Sequence, residues 1–92
     1  MDVSIILGLV KAKLGLSGNV RNSYITVIIE GVIEELEDEK GLALDGTSSH
    51  HLIFVVDYVT WRYQSRDSNG AMPRHLQYRL HNLMIHNGGD TA

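Results

Sequence analysis

The residues of this chain with the chemistry for catalysis or metal binding are five histidines, seven serines and a run of carboxylates. Their spacing argues against both uses. His75, His81 and His86 lie six and five positions apart, about 240° and 140° around a helix axis, so no two share a face as an i, i+4 metal pair would. His50 and His51 are adjacent, which suits solvent-facing or hydrogen-bonded imidazoles better than ligands. The serines at 4, 17, 23, 48, 49, 65 and 68 fall at helix starts or in turns, where they cap, and none sits in a nucleophile elbow. Glu34, Glu35, Glu37, Asp38 and Glu39 include no pair with apolar surroundings that would raise one pKa for acid–base work. Gly88 and Gly89 follow an apolar helical stripe instead of preceding a helix, so they form no phosphate loop. With no cysteine, thiolate metal sites and disulfides are excluded as well. The expectation is a protein that is not an enzyme and needs no cofactor and no metal.

Phe54, Tyr58 and Trp61, followed by Arg62 and Arg66, are the one constellation with the stacking and phosphate-pairing chemistry of a nucleic-acid surface. The net charge of −3 has the wrong sign for that use, and core packing or subunit contact explains the same residues. The charge is also unevenly spread. Residues 30 to 45 carry seven carboxylates against Lys40, a balance of −6, whereas residues 50 to 86 carry four arginines against two aspartates, a balance of +2. Such a split suits neighbouring molecules that meet acid side to basic side, beside the commoner meaning of a solvated acidic face.

These residues have to be positioned by a small body. Ninety-two residues make one domain whose net stability is about 5 to 14 kcal/mol, so burial against a partner adds usefully. Asp2 stands where a secretory signal would carry Lys or Arg, and the longest apolar runs are too short to span a bilayer, which predicts a soluble, cytoplasmic chain without membrane contact.

Helical periodicity predicts four helices, at about 3–14, 22–40, 50–66 and 73–86. Ile6, Leu7, Val10 and Leu14 stripe the first. Ile25, Ile28, Ile29, Val32, Ile33 and Leu36 stripe the second, opposite Glu30, Glu34, Glu37 and Asp38, with Asn22 or Ser23 as its cap and Gly41 as its end. The third window has two apolar faces, Leu52, Val55, Val56, Val59 and Tyr63 on one and Phe54, Tyr58 and Trp61 on the other. A helix apolar on both sides is buried on both sides, either centrally or against another subunit. Pro73 starts the fourth helix, Leu76, Leu80, Leu83 and Met84 stripe it, and Asn87, Gly88 and Gly89 stop it. The expected fold is mainly α, a single four-helix domain over residues 1–92 with a long, doubly apolar central helix.

The stretch Val55-Val56-Asp57-Tyr58-Val59-Thr60-Trp61-Arg62-Tyr63, then Arg66 and Asp67, then Met72-Pro73-Arg74-His75-Leu76-Gln77-Tyr78-Arg79-Leu80-His81-Asn82-Leu83, resembles the small head-to-tail connector proteins of long-tailed bacteriophages, also called head completion or adaptor proteins. The residue-level likeness covers about residues 52 to 87; the first half matches in helix order alone. The resemblance implies a ring, commonly of twelve subunits, beneath the portal protein of the filled capsid. Such a ring provides a platform for the tail, surrounds a channel for DNA, contacts a second connector, stopper or tail protein, and has no catalytic residues. A virion location at the head–tail interface follows, with the host cytoplasm as the site of assembly.

On that reading Phe54, Tyr58, Trp61, Arg62, Arg66 and Arg79 are candidates for the contact between subunits. Glu30, Glu34, Glu37 and Asp38 then either face the DNA channel or pair with arginines of the next subunit. The competing expectation is a small helical nucleic-acid-binding regulator that reads with its fourth helix, Arg74 and Arg79 included. An enzyme would require a cleft that the sequence does not reveal.

Overall fold

In the computed structural model, which describes residues 1–65 and 71–89 with side chains described up to Ile85, each helix begins and ends for a local reason. Asp2, in extended conformation, accepts the Ser4 N–H at 2.9 Å and so caps α1 (Val3–Leu14). Gly15 closes that helix at φ 71, a left-handed conformation that suits glycine, and the Gly15 and Leu16 N–H groups return to the carbonyls of Ala12 and Lys11.

α2 (Asn22–Glu34) begins without the expected side-chain cap. The Asn22 amide donates sideways to Asn19 Oδ1 at 3.1 Å, and its own Oδ1 is buried without a hydrogen-bond partner. Neither Asn22 nor Ser23 serves as the cap, because Asn22 already has helical geometry and Arg21 holds the cap position. At its other end α2 widens into a π turn, Glu35–Glu39, in which the Lys40 N–H reaches the Glu35 carbonyl. Gly41, at φ 68, reverses the chain there, so that Leu42 bonds back to the Leu36 carbonyl at 2.8 Å and drops into the core.

The link to α3 (Ser49–Gln64) is fastened by Asp45, whose carboxylate accepts both the N–H and the hydroxyl of Thr47. Those bonds hold the Asp45 carboxyl below its ordinary range. Ser48 caps α3 by accepting the His51 N–H. Arg66, Asp67 and Gly70 lie outside the described residues. In α4 (Arg74–Gly89) the Pro73 carbonyl accepts the N–H groups of Leu76 and Gln77, so proline sits just before the helix, not in it. The helix continues to Gly89; Asn87 and Gly88 do not stop it.

The architecture is mainly helical, with no strand among the described residues. α1, α2 and α4 all pack on α3, α1 and α2 also pack on each other, and α4 touches no helix but α3. The result is a slab 46 × 29 × 20 Å, two helices thick. Its core takes Ile6 and Val10 from α1, Ile25, Ile29 and Val32 from α2 and Leu36 from the π turn. Val55 and Val59 from α3 and Leu76 and Leu80 from α4 complete it. Met84, expected in the stripe of α4, is instead 37% exposed, at the edge of the face that Leu76, Leu80 and Leu83 turn to the core. Among the described residues no helix is long and apolar enough to cross a membrane.

Burial sets the expected cost of truncation. Ile29→Ala, at a fully buried site, is expected to lower the unfolding free energy by about 2 to 5 kcal/mol. Val27→Ala, two positions away and 65% exposed, is expected to change it by less than about 0.5 kcal/mol. Urea denaturation of the two variants checks the pair, and equal losses would contradict this orientation of α2.

Candidate functional site

The polar residues set among the apolar ones on α3 are its joints to the other helices. Asp57 is a carboxylate in an otherwise apolar run, and its side chain is 22% exposed. It accepts from Lys13 of α1 through Oδ1 and from Arg79 of α4 through Oδ2, the latter at 2.6 Å. Partial burial pushes its carboxyl up, but the hydrogen bonds and charges of Lys13 and Arg79 outweigh that and hold it below the ordinary carboxylate range.

At the next position, the Tyr58 hydroxyl donates to Glu35 Oε2 at 2.5 Å, and Arg62, one turn on, donates to Glu35 Oε1 at 3.2 Å. The Tyr58 phenol is pushed up to about 12, first by burial and then by the bond to Glu35. Burial works against the charge of Arg62, yet its bonds to Tyr58 and Glu35 raise its pKa above the ordinary value. Trp61 stacks on Tyr58 with ring centroids 5.9 Å apart, and Arg62 lies over the Tyr58 ring. At the end of α3 the Tyr63 hydroxyl accepts from Arg21, and its ring meets Tyr24 edge-on.

The residues expected at a subunit interface are placed as follows. Phe54 and Tyr58 are 1% and 4% exposed within the single chain, so they are core residues. Arg79 of α4 lies 5.6 Å above the Phe54 ring, and Glu35 accepts the Tyr58 hydroxyl. Trp61 is partly buried against the same core. Arg62 and Arg79 are engaged by carboxylates of their own chain, and Arg66 lies outside the described residues.

Glu30, Glu34, Glu37 and Asp38 remain exposed, and they form one continuous feature. Together with Met1, Val3 and Ile33 they line an open groove of about 450 Å³ between the start of α1 and the end of α2. A second groove, of about 410 Å³, lies between the start of α3 and the middle of α4. Phe54, Ile53 and Leu83 supply its apolar wall, and Ser48, His51, Arg79 and Asn82 its polar one. His51 is held there by the Asp45 N–H, which donates to its Nδ1 at 2.9 Å. Among the described residues no group of three or more His, Cys, Asp or Glu side chains converges as a metal site.

Sequence reasoning missed Asp57, Glu35 and Lys13 as joints. The signal for Asp57 was present, since an acid flanked by Val55, Val56, Tyr58 and Val59 requires partners when its neighbours are buried. Comparison with family models, with curated proteins and with solved structures finds no match to the chain.

Both joints have a pH signature. With its folded carboxyl held below 3.8, Asp57 contributes fully above that value and loses its contribution as the pH falls through the lowered one. Asp57→Asn is therefore expected to cost about 1 kcal/mol at pH 7, with the gap to wild type closing below about pH 4. Denaturation over a pH series reads this, and a gap that stays constant would remove the charge from the explanation. The raised phenol of Tyr58 has the opposite sign: its contribution is whole below pH 10 and fades as the pH climbs toward about 12. In an alkaline absorbance titration one of the four tyrosines should deprotonate late, and Tyr58→Phe should abolish that late step.

Proposed function

We propose that this chain is a structural subunit of the head-to-tail connector of a tailed bacteriophage. It assembles as a ring on the portal protein, gives the tail-side connector or stopper its platform, and encloses the passage for DNA. The observation that carries the reading is the coincidence between the resembling stretch and the joints of the fold. Asp57, Tyr58, Arg62, Tyr63 and Arg79, five polar residues of that stretch, each tie α3 to another element or to each other. Leu76 and Leu80, its apolar ones, fill the core. Part of the likeness to connectors thus falls on residues that determine the fold, beside exposed positions such as Arg74, His75, Gln77, Tyr78 and His81.

Two further features favour an assembly role. The acidic face of Glu30, Glu34, Glu37 and Asp38 serves no bond within the chain that would account for it, and carboxylates near a helix carboxy terminus oppose the macrodipole by a few tenths of a kcal/mol each. Arg62 and Arg79 each engage a carboxylate of their own chain, which weakens the competing nucleic-acid reading. The twelve-subunit count and the virion location are those the resemblance implies.

Electron microscopy and sedimentation of the purified protein, alone and mixed with the portal of the same phage, test the proposal. The expected result is a closed ring that binds the portal. A monomer indifferent to the portal, combined with salt-sensitive binding to duplex DNA, would replace this reading with the regulator.

A further inference from the structure

The two grooves differ in charge, are alike in size and lie between different pairs of elements. The acidic groove has four carboxylates at its rim and Met1, Val3 and Ile33 as apolar floor, with no lysine or arginine lining it. The α3–α4 groove has an arginine, an amide, a hydroxyl and two imidazoles, no carboxylate, and an apolar wall that includes Ile53, itself 54% exposed. They share no lining residue, and α4, which borders one, touches neither α1 nor the α2 body that borders the other. One subunit therefore presents both at once.

The geometry points to a second copy of this chain as the occupant of the α3–α4 groove, its α2 carboxylates Glu34 and Glu37 seated against Arg79 and Asn82 and its Ile33 side of the acidic groove against Ile53. This inference rests on the assembly reading above and deepens it by naming the two faces that meet. Arg79 is suited to the contact because Asp57 engages it from one side while its side chain stays 35% exposed. A guanidinium has five N–H donors, so one carboxylate does not exhaust it. The contact is heterologous: each subunit uses its acidic groove on one neighbour and its α3–α4 groove on the other. Such contacts propagate, and they close into a ring when the rotation between copies allows it. A rim of charge around an apolar centre also directs encounter and register while the centre supplies most of the burial.

Two variants on exposed positions test the contact without disturbing the core. Glu34→Lys/Glu37→Lys spoils the acidic groove and leaves the other intact; Ile53→Asp does the reverse. Each alone is expected to keep the wild-type circular dichroism and to self-associate at least tenfold more weakly than wild type in sedimentation velocity. Mixed in equal amounts, they retain one intact groove of each kind, and the expected product is a one-to-one complex that grows no further. Variants that self-associate like wild type, or a mixture that forms no complex, overturn the assigned faces while leaving ring assembly standing. A wild type that stays monomeric at every concentration overturns the contact as one the chain makes by itself, and the portal-binding experiment then decides the assembly reading separately.

Discussion

The structure turns on one carboxylate. Asp57 lies on the helix that every other helix touches, and its two oxygens face different neighbours, Lys13 on α1 and Arg79 on α4. Apolar packing alone leaves the rotation of a helix on its neighbour loosely specified, since ridges fit grooves at more than one register. A carboxylate with a cation on either side is more restrictive, because sliding either helix by one turn separates charge from charge. Such a partly exposed pair adds little free energy. Its weight lies in choosing one arrangement from among several of similar burial.

Glu35 plays the same part on the other flank and also divides the acidic run into two populations. It sits in the π turn, where it takes up Tyr58 and Arg62, while Glu34 and Glu37 on either side of it remain at the surface. The −6 segment is therefore not a uniform solvated face. Two of its carboxylates, Glu35 and Asp45, are structural and four line a groove with an apolar floor.

Periodicity made the four helices legible, and with them Ile6, Val10, Ile25, Ile29, Val32, Val55, Val59, Leu76 and Leu80 as core. It could not say what covers an apolar face. Phe54 and Tyr58 pointed equally to a neighbouring subunit and to the interior, and their burial within the single chain is visible only in the fold. Met84 fails because periodicity marks a broad stripe, and at its edge a side chain stays exposed while Leu76, Leu80 and Leu83 take the core side. The cap of α2 was misplaced because Asn and Ser favour cap positions whatever their number, and Asn22 and Ser23 stand next to an Arg21 that takes the position by backbone geometry alone. The second groove had no sequence signal, since its walls come from helices about thirty residues apart and the imidazole of His51 is fixed by a backbone N–H.

α4 rests on a single neighbour, which has a consequence for the order in which the molecule loosens. Helices α1, α2 and α3 brace one another in a triangle, whereas α4 can leave by breaking only the contacts of Leu76, Leu80, Arg79 and the side chains around them. Partial opening of that kind needs less free energy than unfolding the whole, so the amide hydrogens of α4 exchange with solvent ahead of those in the triangle. Whatever occupies the space between α3 and α4 closes that opening, and the slowing of exchange in α4 then measures occupancy directly, one amide at a time.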